Sequence, residues 1–296
     1  MASKLKTYAI LSVLLMGLVF SGIGCIGSDN GEGAAPATGD TVVDTQSISV
    51  KGSDTVLPVA QYEAEQFMAS YKNRDIAVTG GGSGVGIAAL IDGEIDIAAA
   101  SRNMKDAEFE NAEAKGITPL KHVIAWDGIS VVVNQENPVS ELSFDQLRRI
   151  YNGSFSNWQE VGGEDRPIAV ISRDSSSGTY EYFKETVLLG DEYRPDALTQ
   201  PTTGAIVGEI SLNPNAIGYI GVAYLDESLK ALSVDGGEGF RYPDSENIIS
   251  GQYPLARPLF FYTDGEPSGL TKEFIDFVLS AEGQELVQEV GYFPVK

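Results

Sequence analysis

Hydrophobic and polar positions switch between two periods along most of this chain. Short apolar or alternating runs at 47–51, 76–79, 95–99, 167–171 and 217–222 read as strands. A longer apolar run at 123–133 fits a buried strand. The segments 58–71, 85–92, 143–151, 180–188 and 206–212 carry helical spacing. Pro58 suits a first helical turn, and Ser143 stands where it would cap its helix. The stretch 270–290 predicts a pair of helices, or one long helix broken near Gly283. This alternation implies an α/β protein with mostly parallel sheets.

Four of the loops between these elements share one chemistry. They are Gly52-Ser53-Asp54-Thr55-Val56, Gly80-Gly81-Gly82-Ser83-Gly84-Val85-Gly86, Ala100-Ser101-Arg102, and Ser172-Arg173-Asp174-Ser175-Ser176-Ser177-Gly178-Thr179. Each follows a predicted strand, and three lead into a helix. Loops at the carboxyl ends of strands line the ligand crevice of open α/β sheets. Helix N-termini offer free N–H groups and partial positive charge to an anion. Hydroxyls add donors, a glycine admits close approach, and an arginine forks onto two oxygens. Each helix end contributes about 0.3–1 kcal/mol, whereas micromolar binding needs about 8 kcal/mol. Hydroxyls and Arg173 must therefore carry much of any oxyanion affinity, through charge-assisted bonds of about 1.5–3 kcal/mol each.

Charge sharpens this picture. The formal net charge is −22, and loss of Lys4 and Lys6 with the first 24 residues would make it two units more negative. Such a surface argues against nucleic acid and against docking on anionic lipid. An anion site here must be local, because surface charges are screened over about 8–10 Å. The chain starts like an exported protein, with a basic n-region, an apolar run at 8–20 and small residues up to Cys25. Cys25 is the only cysteine, so no intrachain disulfide can form. The segment Gly22-Ile23-Gly24-Cys25 resembles a lipobox, which predicts lipidation at Cys25, although Gly22 stands where a leucine is usual. The alternative is an uncleaved anchor over 8–26, which is about long enough to span a bilayer. Either reading tethers the remainder outside the cytoplasm, at the cell membrane. Residues 27–46 are rich in Gly, Ala, Ser, Asp and Thr and read as a flexible tether.

Other chemistries are poorly served. Gly84-x-Gly86-x-x-Ala89 matches part of a dinucleotide fingerprint, but a lone match of this kind is weak. There is no P-loop and no Gly-x-Ser-x-Gly. His122, the only histidine, opens a buried-looking strand and reads as structural, which counts against a hydrolase. No metal and no cofactor is expected, and Trp126 and Trp158 read as packing residues.

The four loops, together with Asn213-Pro214-x-Ala216-Ile217-Gly218-Tyr219, Phe274-Ile275-Asp276-Phe277-Val278 and Glu282-Gly283-Gln284, resemble the phosphate-binding protein of the phosphate ABC importer. The likeness runs over nearly all of the chain after the tether. It implies a two-lobed periplasmic-binding-protein fold of type II with two hinge crossovers and phosphate between the lobes. The implied organisation is a leader at 1–24, a tether at 25–46, lobe one at 47–126 plus 253–296, and lobe two at 127–252. The implied phosphate donors are Thr55, the Val56 amide, Ser83, Ser101, Arg173, Ser177, Gly178 and Thr179, with Ser53 and Asp54 as further contacts and Arg102 either a further contact or a brace for its loop. Many members place an aspartate in the third loop, which accepts a hydrogen bond from protonated phosphate and so rejects fully ionised sulfate. Here that place falls on Ser101-Arg102, leaving Asp54 as the substitute acceptor and Asp174 as a partner for an arginine. The implied partners are inorganic phosphate and an ABC permease, and the protein is expected to be a monomer without catalytic activity. A binding protein for sulfate or another tetrahedral oxyanion, and an extracytoplasmic phosphatase using the same pocket, are the alternatives.

Overall fold

Two strands organise the molecule, and both pass through its middle. The structure is a computed structural model that describes residues 45–295. The leader, Cys25 and nearly all of the expected tether lie outside the described residues. A nine-stranded sheet runs through the described chain. One half is built on Gln46–Gly52, flanked in parallel by Arg74–Thr79 and Ile97–Ala100. The other half is built on Ala169–Arg173, flanked in parallel by Ala216–Gly221 and Leu198–Gln200.

The long strand Pro119–Asn134 joins the two halves. Its residues 119–128 pair with Ala256–Asp264, here called the return strand, and its residues 129–133 pair with Ala216–Gly221. Both pairings are antiparallel, as is that of the return strand with Ile97–Ala100. The expectation of mostly parallel sheets is corrected on this point. Two chain passes between halves must run in opposite directions, and lying side by side they pair antiparallel. The return strand escapes sequence reading because Arg257 and Pro258 interrupt its apolar run at the start.

The core divides at the same place. Ile48, Val50, Val59, Phe67, Ala125, Phe261 and Phe274 pack in the first half, whereas Ile129, Val131, Leu147, Tyr151, Phe183 and Tyr219 pack in the second. Full burial of each large apolar side chain contributes about 1.5–3 kcal/mol, so each half holds a core of its own. Trp158 is buried and donates to the Asn215 carbonyl at 3.0 Å, whereas Trp126 is 39% exposed at the crossing.

Helix starts follow their caps. Pro58 lies in the first turn of Leu57–Ser70, and Ser143 Oγ accepts from the Gln146 amide at 3.3 Å to open Phe144–Tyr151. The C-terminal stretch forms two helices, Gly269–Val278 and Ala281–Val290. Their break falls at Leu279-Ser280 and not at Gly283, because Ser280 Oγ accepts from the Gly283 amide at 3.2 Å and starts the second helix. A surface helix at Asp106–Ala114 buries only Ala112, too little for a hydrophobic signature. No helix among the described residues is long and apolar enough to cross a membrane.

Candidate functional site

The four loops meet between the halves. Strands Gln46–Gly52, Ile97–Ala100 and Ala169–Arg173 end there, and helices Leu57–Ser70, Ser83–Ile91 and Gly178–Thr186 begin there. Ser83 and Gly178 are thus first-turn helical residues instead of loop residues, and Ser177 caps the third helix by accepting from the Tyr180 amide at 3.3 Å. Ser53, Asp54, Thr55, Ser83, Ser101, Arg173, Ser177 and Thr179 are all buried. Polar groups that leave water need partners, and these find one another. Ser53 Oγ donates to Ser101 Oγ at 3.0 Å, Ser101 Oγ lies 3.3 Å from Ser83 Oγ, and the Ser101 amide donates to Ser83 Oγ at 3.1 Å. Thr55 Oγ1 and Thr179 Oγ1 share a hydrogen bond of 2.9 Å between the halves. The Val56 amide donates to Ser53 Oγ at 3.4 Å.

Two glycines permit this approach. A Cβ on Gly178 would sit 2.3 Å from Ser83 Oγ and 2.6 Å from Ser101 Oγ. Gly82, at φ +96°, faces Ser176, whose Oγ would be 2.5 Å from a Cβ there. The Gly84 amide donates to the Ser176 carbonyl at 2.9 Å, completing a backbone contact between the second and fourth loops.

Arg173 sits at the floor of the fourth loop. Its Nη1 donates to Thr203 Oγ1 at 3.0 Å, and its Nη2 donates to the Pro201 carbonyl at 3.0 Å and to Asp54 Oδ2. Its buried Nε has no hydrogen-bond partner among the described residues, so the Nε–H remains for a ligand. Asp54 Oδ1 accepts from the Gly81 amide at 3.3 Å. Tyr224 donates to the Asp54 carbonyl at 2.6 Å, and burial, reinforced by the Asp54 carboxylate, pushes its phenol up to about 12. Asp174 does not pair with an arginine: its Oδ1 accepts from the Ser176 amide at 2.8 Å, which shapes the turn. Arg102 is held by Glu108 through Nη1 at 2.8 Å and Nη2 at 2.7 Å, so it braces the third loop against the surface helix. His122 lies in the long strand with Nε2 2.9 Å from Thr263 Oγ1.

Sequence reading missed a second buried ion pair. Arg257 and Asp127 are register partners on the return and long strands, 1% and 0% exposed. Nε and Nη2 of Arg257 donate to Asp127 Oδ2 at 3.0 and 2.9 Å. Burial pushes the Asp127 carboxyl up, against the opposing pull of Arg257 and the hydrogen bond from the Val222 amide. The available signal was one charge set inside each of two apolar runs, at 123–133 and 255–262.

A cleft of serine, threonine, amide and guanidinium donors between two half-sheets suits a tetrahedral oxyanion. A protein-family model described as a PBP superfamily domain matches residues 34–282. The phosphate-binding protein PstS of Bacillus subtilis is 34% identical over 270 residues, covering 90% of this chain and 85% of its own length. PstS of Pseudomonas aeruginosa is 32% identical over 268 residues, covering 84% of this chain and 83% of its own. This chain belongs to the phosphate-binding protein family of phosphate ABC importers. A substrate-binding protein of Clostridium perfringens, solved with bound phosphate, superposes with a TM-score of 0.78 at 36% identity, covering 85% of this chain and all of that one. Membership of the family places the fold with the two-lobed periplasmic binding proteins.

Proposed function

We propose that this protein captures inorganic phosphate between its lobes, outside the cytoplasm, and delivers it to an ABC permease. The observation that carries this reading is the convergence of Thr55, Ser83, Ser101, Gly178 and Thr179 with the spare donor of Arg173 at three helix starts. The lobes are 47–126 with 253–296, and 127–252, with crossovers next to Asp127 and Pro254. Phosphate accepts from Thr55, the Val56 amide, Ser83, Ser101, Arg173, Ser177, Gly178 and Thr179, and Asp54 is the carboxylate that accepts a hydrogen bond from its protonated oxygen. The Val56 amide must give up its hydrogen bond to Ser53 Oγ to do so, whereas Ser177 Oγ accepts from the Tyr180 amide and keeps its own proton to donate. The protein acts as a monomer, held at the membrane by Cys25 or by an uncleaved N-terminal segment. It makes and breaks no bond. Binding closes the lobes, and the permease engages the closed form.

A second reading keeps the mechanism and changes the ligand to sulfate. Ser101 in the third loop favours it, since a hydroxyl can donate to an oxyanion that carries no proton. Titration calorimetry of ligand-stripped protein with phosphate, alone and in excess sulfate, decides between them. One-to-one phosphate binding that survives sulfate is expected. Loss of the signal in sulfate would move the assignment to a broader oxyanion class, and no heat with either anion from folded protein would end both readings.

A further inference from the structure

Arg257 does more than neutralise Asp127. Two of its donors face the cleft: Nη2 lies 2.9 Å from Thr179 Oγ1 and 3.5 Å from Thr55 Oγ1, and Nη1 donates to the Ser101 carbonyl at 3.0 Å. The guanidinium therefore touches the first, third and fourth loops at once, from behind. The Tyr182 ring lies over the guanidinium, its centroid 5.6 Å from the guanidinium carbon.

A guanidinium only donates. Thr179 Oγ1, and more distantly Thr55 Oγ1, thus have a lone pair turned toward Arg257. One threonine donates to the other across their 2.9 Å bond, and the proton left over has no acceptor on the Arg257 side. It points toward the cleft. A hydroxyl that is already accepting is also polarised into a better donor. The Thr55–Thr179 pair therefore presents a proton, and not a lone pair, to whatever lies between the lobes. Such a site fits an oxygen that only accepts, as on a dianionic oxyanion.

We propose that Arg257 is a positioning residue for the oxyanion, holding the Thr55–Thr179 pair in its donating sense, and that Asp127 limits its strength by offsetting part of the guanidinium charge. The proposal rests on the oxyanion-binding reading above and adds to it a determinant that none of the four loops contains. A merely structural ion pair at the strand crossing makes a different forecast. Removing either partner would then leave an uncompensated buried charge, lower stability and weaken binding alike. Under the proposal the two partners act on affinity with opposite signs.

The test is calorimetry of the full chain with phosphate and with sulfate at one pH, beside thermal melts without ligand. Asp127→Asn is expected to melt earlier and yet bind phosphate several-fold more tightly, because the guanidinium charge is no longer offset. Arg257→Gln combined with Asp127→Asn leaves no unpaired charge, and is expected to bind both anions at least about tenfold more weakly, the loss of one charge-assisted contact. Arg257→Lys retains a charge behind the threonines and is expected to bind between the double variant and the wild type. Equal or weaker phosphate affinity in Asp127→Asn, or a double variant within twofold of the wild type, overturns the proposal while leaving phosphate capture intact. A wild type that binds neither anion removes both.

Discussion

At the scale of single residues, Glu63 is the most exposed to chemical argument although it is fully shielded from water. It sits on the helix Leu57–Ser70 with both carboxylate oxygens buried and without a hydrogen-bond partner among the described residues. Burial alone holds its carboxyl well above the usual range. A carboxyl raised in the folded state binds its proton more tightly folded than unfolded. Its contribution to stability is therefore full below the unfolded value and declines as pH rises toward the folded one. Glu63→Met is expected to raise stability at both pH 4 and pH 8, since a buried polar group without a partner costs about 1–3 kcal/mol whether or not it is ionised. The gain should be larger near pH 8, where the raised carboxyl adds an ionisation penalty that is absent near pH 4. Melting curves at the two pH values check it, and a gain of the same size at both would contradict the account. Arg173 makes the opposite case, a buried charge with partners on two of its three nitrogens. Arg173→Lys keeps the charge and loses the fork, so phosphate affinity should drop by about tenfold or more. Calorimetry would read the change directly.

At the scale of elements, what could be read beforehand was whatever local chemistry decides. The cap at Ser143, the proline in the first turn, and the hydroxyl-rich strand ends were visible because each acts within four residues. The loops that meet at the cleft were legible for the same reason, by residue type and by position after a strand. Arg257 was not, since its partners Asp127 and Thr179 lie 130 and 78 residues away and only the sheet brings them together. The return strand was hidden with it, as a charge and a proline near its start mask an otherwise apolar run. The helix Gly178–Thr186 offers a test at this scale. Gly178→Ala keeps the helix and its cap but drives a methyl into Ser83 and Ser101 of the other half of the sheet structure. The variant should retain its melting temperature within a few degrees and lose phosphate binding by more than about tenfold. Normal affinity would show that the lobes need not approach this closely when loaded.

At the scale of the whole molecule, the site and the surface oppose each other. The chain carries a net charge of −22, while the cleft donates hydrogen bonds from hydroxyls, amides and guanidinium. A dianion approaching from solution is repelled at long range and held only on contact. Salt screens the repulsion but hardly reaches the buried contacts. The association rate of phosphate is therefore expected to rise with ionic strength, the reverse of electrostatic steering, while the dissociation rate changes little. Stopped-flow measurements between about 10 and 150 mM salt, where the Debye length falls from about 30 to 8 Å, would check it, and a falling association rate would indicate a positive funnel that the net charge conceals.

The two strand crossings lie side by side and bond to each other where they cross, Asp127 opposite Arg257, Gly128 opposite Ala256, and the Ile129 amide on the Leu255 carbonyl. A pair of separate tethers would let one lobe swivel or slip against the other. A bonded ribbon resists both, and bends easily only about the line lying across it. The closure proposed above is then expected to have a single degree of freedom, like a book on its spine. One spectroscopic ruler between the lobes would suffice to follow the entire motion, and every pair of labels across the cleft should report the same time course.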